Sequence, residues 1–384
     1  MEIKVVLGFN FGDEGKGMVV QNLCKQALAE NKRVLVVRFS GGPQAAHTVV
    51  HNGVSHICST YGSGCLLGVP TLWLGVYTAI DPISFLEERE TLRKKGVDPE
   101  IWFSDGCKVI TPYDVLHNQS DEKSLSDGTC GKGVWAAMSR RCDFKVRDLH
   151  DADHRSLYLS FVKDWYSKIP QNRGLEFRFK KASDEVSALS TNFSGNIISQ
   201  YDVVIYEGSQ GLLLDPTHSP FQPHVTATNL FNFPTVNEDV EIYMVTRTYL
   251  TRHGNGYEPK KCENFYDLSK KYESNIFNEF QGEFKTGVIS LDLMNRIIDR
   301  ARLDNLNAKF NLVVTHMDIP FEQNKFMYEL GNQIHTFEEE NKEVNPDNIC
   351  QTISDNLYLN FENIYYTNSP NSSLHVSHMS GCSR

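Results

Sequence analysis

The apolar run Ile3 to Leu7 is short and β-branched, gives way to a glycine-rich stretch from Gly8 to Gly17, and is followed by Val19, Leu23, Ala27 and Leu28 at helical spacing. This order predicts a strand, a phosphate-type loop and a helix. Arg33 to Phe39 predicts a second strand, and its Val34-Leu35-Val36-Val37 centre lacks polar alternation, as expected where both faces of a parallel strand are covered. Comparable runs occur at Thr71 to Val76, Val203 to Tyr206, Ile242 to Val245, Leu312 to Thr315 and Ile364 to Tyr366, with helical stretches between most of them. The expected fold class is α/β, a mostly parallel central sheet covered by helices, with sites gathered at the carboxyl ends of strands. No internal repeat or low-complexity segment divides the chain, so a single elaborated domain over residues 1–384 is expected. The weakest order is expected around Asn118 to Ser126 and from Asn368 onward, where Ser and Asn cluster.

Composition narrows the function classes. A formal net charge of -10 without any basic block argues against nucleic acid and against anionic lipid surfaces. Nine cysteines without a C-x-x-C pair fit reduced thiols and a cytoplasmic location. No apolar run reaches the roughly 18 residues of a membrane span, and the first residues lack the pattern of an export signal.

Five segments carry chemistry. Gly8-Phe9-Asn10-Phe11-Gly12-Asp13-Glu14-Gly15-Lys16-Gly17 joins a strand to a helix, where glycines let backbone N–H groups approach an anion and Lys16 adds a point charge. Its glycine spacing is not that of a Walker A loop, and Gly17 stands where Ser or Thr would hold Mg²⁺. A tight turn is the plain alternative, but Asp13 would weaken anion binding unless it holds a metal or moves a proton. Arg38 to Thr48 places His47 among small residues after a strand, as a phosphate contact, a general acid or a structural histidine. Gly128-Thr129-Cys130-Gly131-Lys132-Gly133, followed by Arg140 and Arg141, reads by itself as a surface loop. Tyr206 to Asp215 sets Gln210 between glycines at a strand end, suited to a ligand carbonyl or to loop backbone. Thr315-His316-Met317-Asp318 closes a strand with a carboxylate able to accept from the N1–H and 2-amino group of guanine, or to cap the next turn.

Taken in order, these segments resemble the adenylosuccinate synthetase family, whose members join IMP to aspartate using GTP. The Gly8–Gly17 and Glu207–Asp215 segments are the most specific, and the likeness runs from Ile3 to about Asp318, with an echo at Thr367 to Pro370. The resemblance implies a P-loop-like GTP-binding ligase fold, GTP as co-substrate and Mg²⁺ as cofactor. It implies that Asp13 is the base for the purine N1 proton, His47 the acid beside the GTP phosphates, and Gln210 the hydrogen-bond partner of O6. Lys16 then contacts the transferred phosphoryl group, Thr226 the nucleotide 5′-phosphate, and Gln44, Thr129 and Cys130 the nucleotide. Gly12, Glu14, Gly15, Gly17, Asp318, Thr367 and Pro370 fall on GTP-binding positions, and Asp13 with the Ala46 carbonyl on metal-binding ones. Arg141 matches an arginine that the family contributes from a neighbouring subunit, implying a homodimer with shared sites.

The departures are concentrated on the substrates. Gln44 replaces an asparagine, Ala46 a glycine, Cys130 a threonine and Lys132 an arginine that helps bind aspartate. Where the family has an arginine-rich clamp for the aspartate carboxylates, this chain reads Gly282-Glu283-Phe284-Lys285-Thr286-Gly287, and a lone lysine is a poor substitute for bidentate guanidinium groups. Three readings follow: synthesis of adenylosuccinate from IMP, L-aspartate and GTP; the same 6-phosphoryl chemistry with a variant purine such as dGMP or another amine donor; or a purine-binding paralogue without turnover. Retention of Asp13 counts against dGMP, because the phage branch acting on that nucleotide has a small residue there.

Overall fold

The computed structural model describes residues 1–192, 194–221, 240–263, 265–268, 279–369 and 372–377. Its centre is a ten-stranded sheet. From edge to edge the strands are His375–Val376, Asn363–Tyr366, Lys309–Thr315, Val240–Arg247, Glu2–Gly8, Val203–Gly211, Val34–Arg38, Thr71–Trp73, Ile101–Ser104 and Ser190–Thr191. All neighbours run parallel except the first pair, where His375–Val376 is antiparallel.

The unbroken apolar runs are explained by helices on both faces. Val5 and Leu7 join Leu35, Val37, Val204, Tyr206, Ile242, Met244, Leu312 and Val314 in one core. Helix Leu291–Ala301 covers it with Leu293, Met294, Ile297 and Ile298, and Ser290 Oγ caps that helix by accepting from Leu293 N–H at 3.2 Å. Val6, Val34, Val36, Val203, Ile205, Val245 and Val313 point to the other face, against Val19, Val20, Leu23 and Ala27 of helix Lys16–Ala29. Each such buried side chain contributes about 1.5–3 kcal/mol relative to exposure, so a polar residue in either alternating set would be costly. A smaller sheet, Tyr249–Arg252, Lys285–Ser290, Met327–Leu330 and Gln333–Thr336, stands beside the main one.

One expectation of weak order fails. Residues around Asn118 to Ser126 form helices Pro112–Ser120 and Glu122–Asp127, the first opened by a capping box between Thr111 and Asp114. Asn118 is buried; its Nδ2 donates to Thr129 Oγ1 at 2.7 Å and its Oδ1 accepts from Gly133 N–H at 3.0 Å. These bonds, which polarity alone does not reveal, order the segment. Among the described residues no helix is long and apolar enough to cross a membrane.

Candidate active site

The loop after the first strand is shaped by left-handed backbone at Gly12 (φ 123°), Asp13 (φ 61°) and Gly15 (φ 92°). Glu14 folds back beneath it, accepting from the N–H groups of Asn10 at 3.1 Å and Gly12 at 2.8 Å, while Lys16 Nζ donates to its carboxylate at 2.8 Å. Both charged side chains are only 2% exposed, so each compensates the burial of the other. Gly8 is required by this arrangement, because a Cβ there would lie 2.4 Å from a Glu14 carboxylate oxygen. Thr251 Oγ1 donates to Gly12 O at 2.9 Å and Thr315 Oγ1 to Glu14 O at 2.8 Å, which ties the loop to two further strand ends. The Asp13 carboxylate stays one-third exposed, 3.4 Å from His253 Nε2.

His47 begins the hairpin His47–His51/Val54–Cys58 and is held by Glu207, whose Oε1 lies 2.5 Å from His47 Nδ1. Ser63 donates to the same carboxylate through its hydroxyl and, at 3.0 Å, through its N–H. Burial opposes ionisation of Glu207, but His47, Arg38 and Ser63 outweigh it and hold its carboxyl down at about 2. Burial likewise pushes the His47 imidazole down; Glu207 pulls it back, and Arg38 and Lys16 add to the fall. With Glu207 accepting at Nδ1, the neutral ring carries its proton there and Nε2 is left as an acceptor until the ring is protonated. Gly17 brings the helix onto this ring, since a Cβ at that position would meet His47 Cβ at 2.6 Å.

The Gln210 segment completes the same end of the sheet. Gly8 and Gly211 are register partners, and a Cβ on Gly211 would lie 2.0 Å from Asn10 O and 2.7 Å from Gly12 N, so the Asp13 loop rests directly on the residue after Gln210. Ser209 Oγ contacts Ser40 Oγ at 3.1 Å, which brings in the loop that carries Gln44. Both side-chain polar atoms of Gln44 are buried without a hydrogen-bond partner among the described residues. Ala46 is exposed.

The loop at Gly128 is not the plain surface loop that its sequence suggests. A Cβ on Gly128 would meet Gly254 Cα at 2.8 Å, and one on Gly131 would meet the Phe280 ring at 2.7 Å, so both glycines serve close packing against the smaller sheet's connections. Thr129 is buried with its hydroxyl taken by Asn118, burial pushes the Cys130 thiol up, and Lys132 is exposed. Of the adjacent arginines, Arg140 is buried on Asp114 at 2.8 Å, while Arg141 is exposed and lies over the Trp165 ring at 5.8 Å.

At the end of Lys309–Thr315 the turn is tied to the next strand by Met317 N–H to Thr367 O at 3.2 Å and Asp318 N–H to Asn368 O at 2.9 Å. Asp318 Oδ1 and Thr367 Oγ1 are buried without a partner among the described residues, and burial pushes the Asp318 carboxyl up. Buried acceptors left open in this way suit the N–H groups of a bound base. Lys285 pairs in register with Arg252 and is ion-paired to Glu258; Thr286 pairs with Thr251. Thr226 and Pro370 lie outside the described residues.

The structure thus brings the segments of Asp13, His47, Gln44, Gln210 and Lys16 to one end of the sheet. It adds groups the sequence reading missed: Glu207, Ser63 and His253. Glu207 carried a signal, an acidic residue closing the apolar run Val203-Val204-Ile205-Tyr206; His253 carried none. For Mg²⁺, the Asp13 carboxylate and the Ala46 carbonyl both offer hard oxygen donors, the chemistry that this ion requires.

Comparison with known proteins identifies the family. The family model for adenylosuccinate synthetase matches residues 5–289. Adenylosuccinate synthetase of Coxiella burnetii (strain RSA 331) is 28% identical over 348 residues, covering 82% of this chain and 76% of that protein. Among solved structures, the fully ligated adenylosuccinate synthetase of Plasmodium falciparum superposes with a TM-score of 0.74 at 16% identity, covering 97% of this chain and 98% of that one. Succinoaminodeoxyadenylate synthetase of cyanophage S-2L, bound to dGMP and dATP, superposes with a TM-score of 0.64 at 14% identity, covering 98% and 95%. The chain therefore belongs to the adenylosuccinate synthetase family, GTP-dependent and Mg²⁺-using ligases that form C–N bonds.

Proposed function

We propose that this chain is a cytoplasmic ligase that phosphorylates O6 of IMP from GTP and displaces the phosphate with L-aspartate to give adenylosuccinate. The carrying observation is the seating of the Asp13 loop on Gly211, beside Gln210, with Glu207 of that same strand holding His47 of the neighbouring hairpin. In this reading Asp13 takes the N1 proton, which makes O6 nucleophilic, and Gln210 donates to O6. His47, oriented by Glu207, becomes a donor at Nε2 once phosphate charge raises its proton affinity, and so assists transfer of the γ-phosphoryl group. Mg²⁺, held by Asp13 and the Ala46 carbonyl, would supply neutralisation of the phosphate charge. Lys16 leaves Glu14 to follow the transferring group. Gln44, Thr129, Cys130 and Thr226 hold the nucleotide, Asp318, Thr367 and Pro370 hold guanine, and Gly12, Glu14, Gly15 and Gly17 shape the phosphate site. Lys132, Lys285 and Thr286 face the amino acid.

Incubating the purified chain with IMP, GTP, Mg²⁺ and L-aspartate should release phosphate and form the succinylated purine chromophore. Calorimetric binding of both nucleotides without any product would overturn the reading.

A second reading keeps O6 phosphorylation and changes the amine donor. It is favoured by Lys285, the one basic residue left in the clamp position, being ion-paired to Glu258. A panel of amines with IMP and with dGMP decides, and exclusive use of aspartate removes it. We further propose a homodimer in which Arg141 reaches the neighbouring site. Support comes from Leu157, Phe161 and Trp165, exposed at four-residue spacing on helix Ala152–Trp165 beside Arg141. Light scattering showing a monomer at micromolar concentration would remove this part.

A further inference from the structure

Cys58 ends the second strand of the His47 hairpin, and its register partner across that hairpin is His47 itself. Cys65 opens the short helical turn Cys65–Leu67, two residues after Ser63, whose two hydrogen bonds hold Glu207. The two sulfurs are 3.2 Å apart and both residues are completely buried. Neither is part of the site assigned above, yet each is joined by covalent neighbours or strand pairing to a residue that positions the imidazole.

His56 lies with them, a ring nitrogen and both sulfurs all falling within 4.8 Å of one another. A metal centre does not suit this trio. Tetrahedral zinc at about 2.3 Å from two thiolates holds the sulfurs roughly 3.8 Å apart, wider than the 3.2 Å found here. Moreover, Lys95 Nζ donates to His56 Nδ1 at 3.1 Å and Glu88 lies 3.3 Å from its Nε2, so both ring nitrogens are engaged and an ammonium sits where a cation would approach. A dithiol that can close on itself suits the geometry better.

We propose that Cys58 and Cys65 form a reversible oxidation site that a peroxide converts to a disulfide. One thiolate attacks a peroxide oxygen, the O–O bond breaks, and a sulfenic acid and hydroxide form. The second thiol then displaces hydroxide from that sulfur, the S–S bond forms, and water leaves with the remaining proton. Two electrons pass from the sulfurs to the peroxide, and a dithiol reductant reverses the change. Burial pushes the Cys58 thiol well up, so the closed hairpin is protected and oxidation runs through its opening. This hairpin is a separate two-stranded sheet whose second strand exposes Val54 and Ile57.

Closing the bridge to about 2.05 Å draws the sulfurs together by roughly 1.1 Å. That movement is shared between the His47 strand on one side and the Ser63 segment on the other, and displaces the His47 strand by up to about 1 Å where the Ser63 segment holds still. A displacement of about 1 Å at a catalytic group costs on the order of 100-fold in rate. The effect on rate rests on the functional reading above; the bridge itself does not.

The test is peroxide titration of the full-length protein, followed by non-reducing peptide mapping and, in parallel, phosphate-release assays. The expected result is one peptide pair joining Cys58 to Cys65 with loss of two hydrogens, a rate falling 10- to 100-fold as the bridge accumulates, and recovery with dithiothreitol. Cys58→Ser and Cys65→Ser, each checked for folding by circular dichroism, should keep the parent rate and resist peroxide. Cys24 is a built-in control, because a Cβ on Gly64 would lie 3.0 Å from its sulfur. Bridging through Cys24, or no bridge after oxidation of other residues, overturns the proposal. A bridge that forms and leaves turnover unchanged overturns the coupling to His47, and a chain that bridges but never turns over places the fault in the functional reading.

Discussion

Replacing Glu207 by glutamine tests the link between fold and chemistry most directly. The carboxylate accepts three hydrogen bonds: from His47 Nδ1–H, from the Ser63 hydroxyl and from the Ser63 N–H. Glutamine has the same shape but must turn its NH₂ toward one of these donors. If it faces the Ser63 N–H, a buried donor loses its partner, at a cost of about 1–3 kcal/mol. If it faces His47, the ring must move its proton to Nε2, and the imidazolium loses its counter-charge. In either orientation the protonated ring is destabilised, and a positioned acid–base group contributes on the order of 100- to 10,000-fold. We expect kcat to fall by about 100-fold or more, with the KM for GTP little changed, because Glu207 holds the imidazole and is not among the nucleotide contacts proposed above. The sign of the stability effect follows from the depressed carboxyl. Its folded-state pKa of about 2 lies below the ordinary 4.5, so its stabilisation is complete above 4.5 and is lost as pH falls toward about 2. The variant should flatten that acid limb of the urea midpoint against pH. Parent turnover with an unchanged pH profile, in a variant shown to be folded, would refute the reasoning.

Asp318→Asn exchanges a carboxylate for an amide whose NH₂ opposes a guanine donor. A charge-assisted hydrogen bond of about 1.5–3 kcal/mol is then lost, and steady-state kinetics should show the KM for GTP rising about 10- to 100-fold at nearly constant kcat. Gly211→Ala would force a Cβ to within 2.0 Å of Asn10 O; the Asp13 loop must move, and both thermal stability and phosphate release should fall. Lys285→Ala frees Glu258 from its ion pair. If Lys285 holds the donor's carboxylate, its removal raises the KM of the amine donor several-fold and leaves both nucleotide KM values alone, as a two-substrate initial-rate grid would read.

The architecture was largely legible because helices cover the sheet on both faces, so strand centres such as Val34 to Val37 had to be uniformly apolar and announced themselves. The loop Gly8–Gly17 was legible for a similar reason: Gly8, Gly12 and Gly15 answer local steric demands that only glycine meets. What the sequence hid were long-range pairings. His47 and Glu207 are 160 positions apart, and nothing near either names the other. Asn118 looked like part of a weakly ordered polar stretch, yet its amide fastens Thr129 and Gly133 from the next loop. Gly128 to Gly133 read as a surface loop because the partner backbone at Gly254 lies more than a hundred residues away. Spacing reports periodicity within an element; it carries little about which elements meet.

The register of Gly8 with Gly211 makes the candidate site depend on a segment that is synthesised late. The first strand is flanked by Val203–Gly211 and Val240–Arg247, so its two neighbours are made long after it. A nascent chain that has emerged only through residue 200 owns Asp13 and His47 but lacks Glu207, Gln210 and the surface on which the loop sits. Such contacts between distant segments form late, after the entropy of closing long loops has been overcome. Until those later strands are made, the loop that carries Asp13 has no surface to settle on.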